Sequence, residues 1–429
     1  MTKTKKIIIF VITVIVLGLM AWWLYARNTN NTDVRVGNNS GGFNIKNFLP
    51  FGNPDTAGNS SGSGSNSNNN GSTFDNGKNA APSPMATNVP IKKLRKLWDK
   101  PVAGAVIFNM YKSTTSIVRF TEKATGNVYE ARSDSAQVRR LSNETIPKIM
   151  RAFWLPDGSG FLSQTIDENE TIETSFIKLK ASTASSSTLP FTTVISKLPT
   201  GIAELSVSPN SKKIFYYTAG ATAKGFVSNT DGTSAVNVYG NYLTEWLPFW
   251  FNPNSILLAE KASYASQSSG YFLNPDTKTL TKAYGNISGA SSLPRGDSKF
   301  VLLGSGADPY GGSPALWLLE SSAASISALN TSTWPEKCAW NKADAKFVFC
   351  GVPKKILPAN YPDDWYRGTV NTDDLIEKIN ISGYSFVLSD LSVESKETID
   401  TENLASSPDG NFLIFQNKLD QSLWMLDTR

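Results

Sequence analysis

The chain has no histidine among its 429 residues. That removes the commonest general base near neutral pH and the commonest metal ligand. A Ser-His-Asp triad, a Cys-His dyad and a histidine-based zinc site are therefore impossible, and any catalysis would rest on carboxylates, tyrosine or lysine. The longest stretch between repeated units contains YPDDWYRGTVNTDD (361–374), where Asp363, Asp364, Trp365, Tyr366 and Arg367 are consecutive. Aromatic rings beside an arginine and carboxylates suit a binding surface for a peptide or a sugar. Asp363, Asp364 and Tyr366 are also the first candidates for acid–base work on a glycan, which needs two carboxylates about 5–9 Å apart. The plainer alternative is a covering loop whose rings pack down and whose charges are solvated.

Other chemical signals are weaker. Asp167-Glu168-Asn169-Glu170 offers oxygen ligands but lacks the regular spacing of a calcium loop, so it reads as a solvated hairpin tip. Gly58-Asn59-Ser60-Ser61-Gly62 fits G-x-S-x-G, a pattern with meaning only on a strand-to-helix elbow. Gly71 to Lys78 is one residue too long for a phosphate loop, and Asn79 replaces its Ser/Thr. Both lie in low-complexity sequence and are chance matches. The rings of LTEWLPFWFNP (243–253) could line a pocket, although such residues more often fill a core. No metal site and no cofactor are expected. The net charge of +5 does not suggest a nucleic-acid partner.

Cys338 and Cys350 are the only cysteines and flank CAWNKADAKFVFC. A hairpin turning near Ala343 and Asp344 would set them opposite each other, within disulfide reach. An oxidising compartment would allow the bond; two buried thiols are the alternative.

The elements that would position these residues begin with a run of twenty uncharged residues, IIIFVITVIVLGLMAWWLYA (7–26). It has the length of one bilayer-spanning helix. Lys3, Lys5 and Lys6 precede it, and Trp22, Trp23 and Tyr25 crowd its far end. The positive-inside rule and the aromatic belt keep residues 1–6 in the cytoplasm and place the rest outside. The run is long and lacks a small-residue cleavage site, so an uncleaved single-pass anchor in the cytoplasmic membrane is expected rather than a signal peptide. Residues 27–89 are dominated by Asn, Gly, Ser, Thr and Pro, including GNSSGSGSNSNNNGS (58–72). Such a tract makes a disordered linker with a span on the order of 45 Å for sixty residues.

From residue 90 the texture changes to short apolar runs rich in Val, Ile, Phe, Tyr and Trp, separated by turn residues. A repeated unit of strand, Pro/Asn/Asp/Gly/Ser turn and strand recurs in six segments. These are AFWLPDGSGFL (152–162), LSVSPNSKKIFYY (205–217), PFWFNPNSILLAE (248–260), SSLPRGDSKFVLLG (291–304), CAWNKADAKFVFC (338–350) and ASSPDGNFLIFQ (405–416). Spacings of about 40 to 65 residues suit one four-stranded sheet per copy.

The turn Ser407-Pro408-Asp409-Gly410, its variant Ser208-Pro209-Asn210-Ser211, and an aromatic before the turn (Trp154, Trp250, Trp340) carry a resemblance. They resemble the repeats of TolB-like propellers and their WD-repeat relatives, over roughly residues 90–429. The resemblance implies an all-β propeller and little about function, because this fold hosts unrelated activities. Seven blades are expected, with PVAGAVIF (101–108), a hairpin at 116–133 and Val138–Leu141 forming the first. IKKLRKLW (91–98) would supply the missing outer strand of the last blade and close the ring. Six blades is the alternative.

Together these features lead to an expected non-enzymatic, extracytoplasmic scaffold that binds a protein or a cell-envelope polymer. The rivals are a carboxylate-dependent glycan lyase or hydrolase, and a structural assembly factor of an envelope or secretion complex.

Overall fold

A computed structural model describes residues 91–429 apart from 111–112, 183–188, 219, 221, 242–244, 265 and 307–312. The anchor and linker expected over 7–89 lie outside the described residues, and no described helix is long and apolar enough to cross a membrane. The described chain folds into seven antiparallel sheets of four strands each. Six blades use consecutive strands: 102–140, 149–197, 202–241, 246–288, 292–328 and 338–390. The seventh combines Thr401–Ser406, Phe412–Asn417 and Leu423–Asp427 with Leu94–Trp98 as its outer strand. Leu94 pairs with Leu426 and Lys96 with Trp424. The fold is thus an all-β, seven-bladed propeller closed by strand exchange.

Hydrophobic patterning explains the stacking. Propeller strands are covered on both faces by neighbouring blades, so apolar residues run on without strict alternation. Ile214 to Tyr217 are all buried, as are Phe412 to Asn417. Buried clusters fill each of the seven seams between adjacent blades. Trp246 and Trp250 fill the seam between blades 3 and 4. First strands of neighbouring blades pack against one another, for example Val102–Asn109 on Ile149–Trp154.

The repeated turn has a physical reason. Ser407 Oγ accepts from Phe412 N at 3.0 Å and donates to Asp409 at 2.5 Å, while Gly410 adopts φ 70°. Ser208 repeats this, accepting from Lys213 N at 2.9 Å and donating to Asn210 at 2.8 Å, with Ser211 at φ 61°. The side chains satisfy the backbone groups of a tight turn, as Ser, Asp and Asn commonly do.

Antiparallel strands alternate their connections between two faces of the ring. One face carries the turns between first and second strands. The other carries the loops between second and third strands and the links between blades. Residues 354–373, between Phe347–Pro353 and Asp374–Asn380 of blade 6, belong to this second face.

Candidate functional site

The five adjacent residues proposed from sequence lie on a short helix, Asp363–Tyr366, and its C-cap Arg367. The segment reaches across blade 5, where Gly306 leaves room for it: a Cβ there would sit 2.0 Å from Tyr361 O. Asp363 accepts hydrogen bonds from Ser263 Oγ at 3.0 Å and Tyr264 N at 2.9 Å, both in blade 4's second loop. Asp364 accepts from Asn360 N at 2.8 Å. Trp365 is buried, and its Nε1 donates to both oxygens of Asp400 at 3.0 Å. Tyr366 donates its hydroxyl hydrogen to Glu336. Trp334, Tyr361 and Trp365 pack together beneath. Only Arg367 projects, with its side chain 66% exposed and 3.5 Å from Asp364. The insertion is therefore a shelf pinned to blades 4, 5, 6 and 7.

Under the shelf lies a charged core not singled out from sequence. The side chains of Lys337, Asp374 and Asp400 are all 0% exposed. Lys337 Nζ is 2.5 Å from Asp400 Oδ1, 2.6 Å from Asp374 Oδ2 and 2.9 Å from Thr372 Oγ1. It also sits over the rings of Trp334 and Trp365, at 5.2 and 5.1 Å. Burial alone would lower the Lys337 pKa, but Asp374 and Asp400 outweigh it and raise it. Glu336 is raised by burial, against the hydrogen bonds from Tyr366 and Ser291. Burial and the adjacent Glu336 lift the Tyr366 hydroxyl well above the ordinary phenol range.

A second group lies toward the seam of blades 7 and 1. Burial pushes the Glu402 carboxyl up to about 8, against the opposing pull of Lys418, Lys337 and Lys123. Its Oε1 is buried without a hydrogen-bond partner. Lys123 and Lys418 are both lowered by burial, and Lys418 lies 5.3 Å from the Trp365 ring. Farther round, Arg151 pairs with Glu204 at 2.9 Å, and burial raises the Glu204 pKa. The insertion face thus concentrates half-buried cations above buried carboxylates. Perturbed titratable groups of this kind often mark functional sites.

The other residues considered from sequence are accounted for locally. Asp167 accepts from the backbone of Asn169 and Thr171 at 2.9 and 2.7 Å, which closes its own loop. Cys338 and Cys350 are directly opposite in register and are disulfide-bonded. On the other face, a groove of about 530 Å³ is lined by Lys92, Arg95, Asp134, Phe412, Asp427 and Arg429. Its arginines are engaged: Arg429 with Asp427, and Arg95 with the carbonyls of Arg132 and Ser135. Among the described residues, no group of three or more cysteine, aspartate or glutamate side chains is placed to hold a metal ion.

No protein-family model matches the chain, and no curated protein matches it. Solved structures do match in fold. An oligogalacturonate lyase from Vibrio parahaemolyticus aligns at TM-score 0.53 and 10% identity, covering 80% of this chain and 95% of that one. The β-propeller domain of the Trilobed protease from Pyrococcus furiosus aligns at TM-score 0.50 and 10% identity, covering 77% and 96%. TolB from Acinetobacter baumannii aligns at TM-score 0.39 and 10% identity, covering 61% and 59%. The Pyrococcus domain is described as having an open velcro topology, whereas here Leu94–Trp98 completes the last blade. At such identities the likeness concerns architecture alone; the seven blades are read from this chain's own seven sheets.

Proposed function

We propose that this chain is a binding scaffold rather than an enzyme. Residues 7–26 hold it at the outer side of a cytoplasmic membrane, and the insertion face of the propeller receives a protein or an envelope polymer. The observation that carries this reading is the shelf of residues 354–373. Asp363 and Asp364, the expected acid pair, serve as hydrogen-bond acceptors that fix the shelf to blade 4 and to its own backbone. Trp365 and Tyr366 point inward to Asp400 and Glu336. What the shelf presents is a preorganised surface with Arg367 at its crest, and rigid surfaces bind at low entropic cost.

Envelope pull-downs with the full chain test this directly. The wild type should capture a discrete partner, and Arg367→Glu should weaken the capture. Recovery of no partner, beside glycan turnover by the purified protein, would overturn the proposal. Capture of a stable multiprotein machine would make the chain an assembly factor. Protease added to intact spheroplasts tests topology, since exposed Gly/Ser/Asn tracts are preferred cutting sites. Release of a soluble domain of about 340 residues, cut within 27–89, supports the outward orientation. Protection until lysis would reverse it.

A second reading is favoured by one observation, the buried Glu402 carboxyl raised to about 8 beside Lys123 and Lys418. A neutral acid next to lysines is the kind of proton-transfer pair a glycan lyase needs, since catalytic acids are commonly tuned by burial. Loss of product from an acidic polysaccharide on Glu402→Gln, with binding retained, would move the function to that reading.

A further inference from the structure

We propose that Lys337 and Asp400 condense to form an intramolecular amide, a covalent cross-link between blades 6 and 7 with Asp374 and Thr372 carrying the protons. This goes beyond the binding reading and does not depend on it.

The geometry supplies each part of the reaction. The nucleophile, Lys337 Nζ, lies 2.5 Å from Asp400 Oδ1. The proton acceptor, Asp374 Oδ2, lies 2.6 Å from the same nitrogen. Asp400 Oδ2 accepts from Thr372 N at 3.1 Å and Trp365 Nε1 at 3.0 Å. These two fixed donors stabilise negative charge on that oxygen as Cγ is attacked, as an oxyanion hole does. The Thr372 hydroxyl connects the two carboxyls, 2.7 Å from Asp374 Oδ1 and 2.9 Å from Asp400 Oδ1. Protons can therefore pass from Asp374 to the oxygen that must leave.

The step balances without any co-reactant. The Lys337 ammonium gives a proton to Asp374, and the neutral amine lone pair forms a bond to Asp400 Cγ. A second Nζ proton follows the first through Asp374 and Thr372. The Cγ–Oδ1 bond then breaks, and Oδ1 departs as water carrying both protons. An ammonium and a carboxylate become an amide and water, and Asp374 ends in the state in which it began.

Two features of the site favour condensation. Lys337, Asp374 and Asp400 are all 0% exposed, and the amine lies against the faces of Trp334 and Trp365. Burial keeps bulk water away from Nζ and Cγ, so hydrolysis and competing proton exchange with solvent are suppressed. Held partners also react with effective molarities on the order of 10⁵ M or more, because the entropy of bringing them together is already lost.

The linked residues are 63 positions apart, one entering the first strand of blade 6 and the other entering that of blade 7. The bond would lock these two blades covalently.

The test is the intact mass of the full-length chain, purified in detergent and reduced at its disulfide. The expected mass is lower than the sequence mass by one water. Tryptic digestion should join the peptide 397–418 to the peptide 300–342, because trypsin does not cut after an acylated Lys337. A mass equal to that of the sequence, with a peptide ending at Lys337, would overturn the proposal. Asp400→Asn should give a joined product that has lost ammonia instead of water; loss of water there would place the bond elsewhere. Asp374→Asn should show the full sequence mass while still unfolding cooperatively, and a cross-link formed to the wild-type extent would refute the proton path.

Discussion

Two neighbouring seams hold the ring by opposite means. Between blades 7 and 1 the centre of the seam is apolar, with polar contacts such as Gln416 Nε2 to Val102 O beside it: Leu97, Phe412 and Ile414 pack on Val102, Val118 and Phe120. The exchanged strand is the hinge of that seam, with Leu97 entering this cluster and Leu94 the next. Between blades 6 and 7 an apolar cluster is joined by the sealed charges of Lys337, Asp374 and Asp400. Apolar packing is graded, since each lost methylene costs a little. A buried ionic core is closer to all-or-none, because removing one partner strands the others in a low dielectric. The difference is repeated on a smaller scale within the charged groups themselves. Asp374 and Asp400 accept from lysine, threonine and tryptophan donors, whereas Glu402 keeps an unpartnered oxygen.

The sharpest way to break the comparison is to remove the exchanged strand. Deleting residues 1–88 should leave a soluble, cooperatively unfolding domain. Deleting 1–100 also removes Leu94 and Leu97, each contributing about 1.5–3 kcal/mol by burial, together with a strand ladder. The longer deletion should aggregate or lose about 5 kcal/mol or more in denaturant titration. Equal melting temperatures would show that blade 7 closes without it.

Next in size is the ionic seam. Lys337→Met leaves two buried carboxylates uncompensated and also removes any cross-link to Asp400, so it should cost about 3–5 kcal/mol or more in the same titration. Converting Asp374 and Asp400 to Asn together with it should recover part of that loss. A single variant as stable as the wild type would mean that the charges contribute nothing to the seam.

The incompletely satisfied group should reveal itself through pH. The Glu402 pKa rises from 4.5 to about 8 on folding. Between those values the unfolded chain releases a proton that the folded chain keeps, so stability falls as pH rises, by up to about 1.4 kcal/mol per pH unit. The decline should begin near 4.5 and level off above about 8. Glu402→Gln should flatten it and exceed the wild type by several kcal/mol at pH 9. An unchanged slope would assign the decline to other groups.

The smallest effect on stability belongs to the surface. Arg367→Glu should change unfolding by no more than about 0.5 kcal/mol, yet weaken capture of the partner. A large loss of stability would make Arg367 part of the shelf's anchoring instead.

Much of the architecture could be read from local pattern. The turns at Ser407–Gly410 and Ser208–Ser211 carry their own hydrogen bonds, so each marks a strand-to-strand connection wherever it occurs. The outer strand expected at 91–98 is found at Leu94–Trp98, and the first blade's hairpin occupies Ser116–Glu122 and Val128–Arg132. The charged core was much less legible. Asp374 stands within the acidic run singled out in sequence, but its partners Lys337 and Asp400 are separated from it by 37 and 26 positions. Nothing in their own surroundings announces that ring closure will bring them together. The shelf residues lie side by side because they are contiguous in sequence. Their orientation depended on Ser263, Glu336 and Asp400, which come from three other parts of the chain.

The strand that closes the ring is also the first strand of the described chain, and this has a mechanical consequence. Tension along the polypeptide from the N-terminal side reaches Ile91 and then Leu94–Trp98, which is bonded on one edge only, to Leu423–Asp427. That single ladder bears the load before any of blades 2 to 6, where no chain end is available to pull. Under the proposed anchoring by residues 7–26, scission within 27–89 would remove the load and leave the ladder whole, so the released propeller would carry its own clasp with it.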